Sequence, residues 1–213
     1  MRFLPEMLTL YAITDRGCLR GRDLAEQVEL ALQGGVTCVQ LRDKELDTDE
    51  LVQEARVLAE ICHRYGAPLI INDDYRAAML SGADGVHVGI EDASVSEIRR
   101  IAGEELIIGA TAKTVEQARA AQKMGADYLG VGAVFPSPTK KNAIRITPDD
   151  LRTITASVKI PVTAIGGITA DNVNEINGCG HRGIAVVSAV FAADDVKAAA
   201  QQLRTKAEEG IAL

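Results

Sequence analysis

Eight short apolar runs rich in β-formers, each followed by an amphipathic segment, recur along this 213-residue chain and leave few folds open to it. They are LTLYAIT, TCVQLRD, PLIIND, GVHVG, LIIGAT, YLGVGAV, PVTAIGG and GIAVVSAV. Their apolar character is continuous rather than alternating with charge, which marks strands covered on both faces. The intervening segments begin as helices do. Asp47 with Glu50, Ser94 with Glu97, and Thr114 with Gln117 each fit a capping box. Thr147-Pro148-Asp149-Asp150 supplies a cap, a proline for the first helical position and acids for the first turn. Leu51, Ala55, Leu58 and Cys62 share one face of a helix expected from about Asp49 to Arg64. Other helices are expected to end at glycine, in ALQGG, HRYGA and KMGAD.

The rhythm is reinforced by repetition. SGADGVHVG and MGADYLGVG are near copies, and GCGHRGIAVVS is a looser third version. About eight strand–helix units in one chain predict an α/β fold, a single (β/α)8 TIM barrel over residues 1–213 with its active site at the C-terminal strand ends. The rival is an open doubly wound sheet. It would normally carry a G-x-G-x-x-G turn after the first strand, and YAITDRG has none.

Composition narrows the function classes. The formal net charge is −7, and neither a basic cluster nor an aromatic–basic interleaving occurs, which argues against nucleic acid as a partner. No apolar run approaches the roughly 18 residues of a membrane span, and Met1 to Leu10 has no signal-peptide pattern. Cys18, Cys38, Cys62 and Cys179 are scattered without a C-x-x-C pair, so reduced thiols in a cytoplasmic protein are expected. His63, His87 and His181 form no ligand cluster and read as structural or solvated.

The polar residues at the expected strand ends are the candidate chemistry. Strand 2 gives Gln40, Arg42 and Lys44 at alternate positions, and strand 3 gives Asn72 and Asp73. Asp92 follows strand 4, and Thr111 ends strand 5. FPSPTKKNA after strand 6 carries hydroxyls with Lys140 and Lys141; strand 7 ends in Gly166-Gly167, and strand 8 reaches Ser188. Two acids on neighbouring strand ends suit Mg²⁺, which takes oxygen ligands and shares them with a diphosphate. Lys44 would offset remaining phosphate charge, and Gly166-Gly167 would let backbone N–H groups approach an anion. Simpler roles stay open. Asp73 or Asp74 could cap the helix beginning at Tyr75, Asp92 could start the next helix, the glycine pair could be a tight turn, and the lysines could be solvated. An inward Arg42 is harder to dismiss, because an unpaired buried charge is costly. Gly130, Gly132, Ala164 and Gly166 would leave room for flat rings at the barrel mouth, or serve only packing. Pro136 to Ile146 is a candidate lid.

Taken together and in this order, VQLRDK, INDD, DGVHVGIED, GAVFPSPTKK, AIGGI and GIAVVSA resemble the thiamine-phosphate synthase family, also called thiamine-phosphate pyrophosphorylases. The resemblance runs from strand 2 to strand 8. It implies a Mg²⁺-dependent transferase of thiamine biosynthesis that joins a hydroxymethylpyrimidine diphosphate to a thiazole phosphate and releases pyrophosphate. It further implies that Gln40, Arg42, Lys44 and Asn72 hold the pyrimidine diphosphate, that Asp73 and Asp92 ligate Mg²⁺, and that Thr111 stands beside the pyrimidine. Ser137, Thr139 and Lys140 would contact phosphates, and Gly167, Val187 and Ser188 would receive the thiazole phosphate. Lys44, Lys140 and Thr111 are the residues expected to act in catalysis.

Three departures from the family pattern stand out: Thr111 replaces the usual serine, Ile90 replaces a glutamine, and GCGHRG precedes strand 8 in place of GADG. None removes a metal ligand or phosphate lysine. A thiazole tautomerase would need no metal–diphosphate clamp, whereas a non-catalytic thiamine-phosphate sensor or a phosphate-binding isomerase remains an alternative. Barrels of this sort often self-associate, so a homo-oligomer is compatible with the sequence.

Overall fold

A computed structural model of the chain describes residues 2–136 and 145–211. Its elements run β1 (Leu10–Ile13), α1 (Arg16–Leu19), α2 (Leu24–Gln33), β2 (Cys38–Leu41), α3 (Thr48–Arg64), β3 (Leu69–Asn72), α4 (Tyr75–Ser81), β4 (Gly85–Val88) and α5 (Val95–Ala102). Then follow β5 (Ile107–Ala112), α6 (Val115–Met124), β6 (Tyr128–Gly132), α7 (Pro148–Ala156), β7 (Val162–Ile165), β8 (Gly183–Val186), α8 (Ser188–Phe191) and α9 (Val196–Ile211). Each strand pairs in parallel with its sequence neighbour, and β8 pairs with β1 to close the barrel, as the strand–helix rhythm predicts.

Helix starts are set locally. Asp47 and Glu50 form a full capping box at α3, and Thr147 with Asp150 forms another at α7, behind Pro148. Two expected boxes are only half made. Ser94 and Thr114 accept from the N–H groups of Glu97 and Gln117. The Gln117 side chain, however, bonds the N–H of Lys113, one residue ahead of the cap, at 2.8 Å. Asp74 caps α4 and leaves Asp73 free for other work. The connection from β7 to β8 departs from the rhythm, with a four-residue 3-10 turn, Val173–Ile176, in place of an α-helix. Gly178 and Gly180 at φ 73° and 80° end that turn and leave no length for a longer helix.

Strand side chains alternate between two cores. Leu10, Ala12, Val39, Leu41, Leu69, Ile71, Ile108, Ala110, Leu129, Val131, Val162 and Ala164 pack outward against the helices. Tyr11, Ile13, Cys38, Ile70, Ile107, Tyr128 and Ala185 fill the barrel interior. Three buried cysteines and the half-buried Cys18 are free thiols, as expected. The interior is crowded at one level. A Cβ on Gly109 would stand 2.2 Å from Tyr128 Cζ and 2.5 Å from His87 Nδ1. Gly109→Ala is therefore expected to cost about 1–3 kcal/mol through overpacking, read as a lower urea midpoint with an unchanged slope.

Candidate active site

A cavity of about 560 Å³ opens at the C-terminal strand ends. Gln40, Arg42, Lys44, Asn72, Asp73, Asp92, Thr111 and Val187 all line it, so the expected pyrimidine-diphosphate and metal residues converge. Gly167 and Ser188 lie on the same rim, at the end of β7 and the start of α8, but are not among the residues lining this cavity. Ser137, Thr139, Lys140 and Lys141, with most of the expected Pro136–Ile146 lid, lie outside the described residues.

The loop after β2 is fixed from both sides. Arg42 pairs with Asp15 at 3.3 Å, and its backbone N–H donates to Thr14 Oγ1 at 2.9 Å. Arg16 pairs with the neighbouring Asp43 and reaches Glu54 at 2.7 Å. Arg42 thus has the partner that a partly buried guanidinium requires, and Lys44 is carried to the cavity mouth by a braced segment.

The two acids meet. Asp73 has φ 64°, an uncommon left-handed conformation for a residue other than glycine, just past the end of β3. Asn72 Nδ2 donates to Asp73 Oδ2 at 2.6 Å, and the Gly89 N–H donates to Asp92 Oδ2 at 2.8 Å. The Asp73 carboxyl is pushed above the usual carboxylate range, first by burial and then by a shared hydrogen bond with Asp92 and its charge; Asn72 and Lys44 pull the other way. Two carboxylates held so close repel unless a proton or cation lies between them. Among the described residues no group of three or more His, Cys, Asp or Glu could hold a metal ion unaided. An oxygen pair completed by substrate oxygens is the donor set that Mg²⁺ accepts, so these residues fit the expected ion.

Below the mouth lies a network that the strand-end inventory did not contain. Gln40 Nε2 donates to the Tyr11 hydroxyl at 2.7 Å, and Tyr11 meets the Tyr128 hydroxyl at 2.8 Å. Tyr128 reaches His87 Nδ1 at 3.2 Å, and His87 Nε2 reaches Thr111 Oγ1 at 3.1 Å. Burial pushes the His87 imidazole down to about 4, against the opposing pull of Asp92, so the ring is neutral at neutral pH. Burial also raises both phenols well above their ordinary range. The structural reading of the histidines holds for His63, bonded to Asp84 at 2.8 Å, and for buried His181; His87 instead lines the cavity. Strand alternation was the available signal, since His87 stands two residues beyond inward Gly85 as Asn72 stands beyond Ile70.

The small residues need correction. Gly130 lines the cavity, but Ala164 faces the helices. Gly132 and Gly166 are glycine for backbone packing, because a Cβ on them would stand 1.9 Å from Ile165 O and 2.4 Å from Ala133 Cβ. Gly167, at φ 65°, likewise admits the Pro136 carbonyl, 2.2 Å from where a Cβ would be. Of the departures, Ile90 sits half-exposed in the cavity wall, whereas residues 178–183 lead into the N-terminal end of β8, away from the rim. Thr163 Oγ1 is buried in the cavity floor with no hydrogen-bond partner among the described residues.

Comparison with known proteins identifies the family and the fold. The family model described as thiamine monophosphate synthase matches residues 10–190. A thiamine-phosphate synthase of Clostridium tetani is 44% identical over 195 residues, covering 92% of this chain and 93% of its own. One from Chloroflexus aurantiacus is 47% identical over 196 residues, covering 92% and 90%. The solved thiamine phosphate pyrophosphorylase of Pyrococcus furiosus superposes with a TM-score of 0.90 at 42% identity, over 97% of this chain and 98% of that one. The chain belongs to the thiamine monophosphate synthase family.

Proposed function

We propose that this transferase of thiamine biosynthesis joins 4-amino-2-methyl-5-hydroxymethylpyrimidine diphosphate to 4-methyl-5-(2-phosphoethyl)thiazole, giving thiamine phosphate and pyrophosphate by Mg²⁺-assisted dissociative substitution. The observation that carries the reading is the meeting of Arg42, Lys44, Asp73 and Asp92 over a floor made by Gln40, Asn72, Thr111 and Gly130. Charged groups ring the mouth, where a diphosphate would lie; amide, hydroxyl and apolar groups form the depth, where a flat ring would lie.

Asp73 and Asp92 would hold Mg²⁺, which when bound supplies positive charge against the departing diphosphate. Lys44 stands at the same mouth and adds a fixed cation on the side where negative charge grows. The bond between the methylene carbon and the diphosphate oxygen breaks, and its electron pair leaves with pyrophosphate. The aminopyrimidine spreads the positive charge left on the carbon, and the thiazole nitrogen donates the pair that forms the new bond. Ile13, Ile165, Ala185 and Val187 give the cavity apolar walls that limit water around such a cation. No protein nucleophile is required. Following the family resemblance, Ser137, Thr139 and Lys140 complete the phosphate contacts, and Gly167, Val187 and Ser188 receive the thiazole phosphate.

The direct test mixes both substrates with the protein and Mg²⁺. Thiamine phosphate and pyrophosphate are expected in equal amounts, abolished by a chelator and restored by Mg²⁺. Product formation indifferent to the chelator would remove the metal assignment. Asp73→Asn keeps a side chain that tolerates positive φ and removes the like-charge repulsion. It is expected to lower turnover by ~100-fold or more while leaving the melting temperature without divalent ions unchanged or higher; a variant of normal turnover would count against the ligand role. Asp15→Ala frees Arg42 from its brace, and the KM for the pyrimidine diphosphate should rise by about three- to tenfold with kcat less affected. Steady-state kinetics with the thiazole phosphate saturating would check it.

A further inference from the structure

The inward positions of two strands run matching courses to the cavity mouth. On β2 they are Cys38 and Gln40, and the same alternation continues through Arg42 to Lys44. On β5 they are Ile107, Gly109 and Thr111, because Ile108, Ala110 and Ala112 face the helices. The next inward position is Lys113. It lines the cavity as Lys44 does, and it was not among the polar residues expected at the strand ends.

The chain holds the root of this lysine in place. Its backbone N–H donates to Gln117 Oε1 at 2.8 Å, and Gln117 lines the same cavity. That bond takes the side chain which a full capping box would have turned to the Thr114 N–H. Lys113 is half-buried, and its ammonium has no ion-pair or hydrogen-bond partner among the described residues. A lysine that only meets solvent needs no such support.

Its place in the ring gives the charge a purpose. Between β2 and β5 stand β3 and β4, whose ends carry Asp73 and Asp92, so the two lysines flank the acid pair. At about 4.8 Å per strand, β2 and β5 lie roughly 14 Å apart along the sheet. Two lysine side chains with a diphosphate between them can span that gap. The charges of Mg²⁺ and of its two carboxylates would cancel, which leaves the charge of the diphosphate to side chains. Arg42 is already shared with Asp15. When the carbon–oxygen bond breaks, the leaving group gains one more negative charge, and a cation on a single flank would leave its far end uncompensated. The thiazole-phosphate corner at Gly167 and Ser188 lies further round, beyond β6.

We infer that Lys113 is a further catalytic residue, which grips the diphosphate from the β5 side while Lys44 holds it from the β2 side, with the acid pair between them. This rests on the proposed diphosphate substrate and deepens it. The ammonium stays protonated throughout; it meets the electron pair that leaves with pyrophosphate and transfers no proton.

The experiment compares Lys113→Ala and Lys113→Arg with the wild type at saturating Mg²⁺. Lys123→Ala, which removes an equal charge from the exposed end of α6, is the control. Lys113→Ala is expected to lower kcat/KM for the pyrimidine diphosphate by at least about tenfold, and to weaken product inhibition by pyrophosphate to a similar degree. The KM for the thiazole phosphate and the melting temperature should stay unchanged. Arginine should recover part of both losses, and the control should show neither. Unchanged inhibition by pyrophosphate in Lys113→Ala would overturn the inference, as would a defect confined to the thiazole phosphate. So would equal losses in Lys123→Ala, which would mark a general field, or an arginine variant no better than alanine. Failure of the wild type to form thiamine phosphate at all would instead refute the parent reading.

Discussion

Closure of the parallel sheet, where Leu10, Tyr11 and Ala12 of β1 pair with Ile184, Ala185 and Val186 of β8, is the constraint on which the other features rest. A closed ring has no free edge, so each strand must send alternate side chains into a narrow interior. Tyr128 and His87 fit side by side in that interior, next to Tyr11, because Gly109 has no side chain to meet them. Polar groups there have no bulk water below them and must satisfy one another, which turns separate strand residues into a connected unit. The same closure gathers all eight C-terminal strand ends at one mouth.

The mouth separates two kinds of order. Arg42 and Lys44 ride on a loop braced by the Arg42–Asp15 pair and by Arg16 bridging Asp43 and Glu54. Asp73 and Asp92 are held by Asn72 and by the Gly89 N–H, in mutual repulsion. Arg42 has its partner without a ligand; the Asp73 carboxylate, half-buried beside Asp92, does not. The site therefore stores an unfavourable charge arrangement that a divalent cation would relieve, a common feature of sites built for function rather than for stability.

Much of this was legible in the chain because it depends on neighbours in sequence. The capping boxes at Asp47 and Thr147 involve groups three residues apart, and the buried face of α3 follows from its spacing. The strand-end polar residues needed only the assumption of a barrel. Register was the missing quantity. PVTAIGG is apolar on both faces, so nothing in it tells that Thr163 turns inward and Ala164 outward. The line through Tyr11, Tyr128 and His87 joins residues up to 117 positions apart, and only the stagger of the closed sheet brings them level. Asp15 could be recognised as the partner of Arg42 only once β1 and β2 were aligned. The short turn after β7 was hidden for another reason: the glycines that shorten it look the same as those that end helices elsewhere.

That turn has a wider effect. Because Val173–Ile176 is too short to cover two strands, α9 lies over the seam, packing against β1, β8 and the turn itself. Val196, Ala200, Leu203 and Ala207 supply its buried stripe, and Arg204 reaches back to the Gly35 carbonyl at 3.0 Å. Gly34 leaves room for that approach, since a Cβ there would stand 2.5 Å from the Lys197 carbonyl. The cladding of the first strand is thus supplied by a helix that follows the eighth. Closure of the ring and docking of α9 are therefore one event, since the seam gains its outer wall only from a segment that lies beyond both strands it covers.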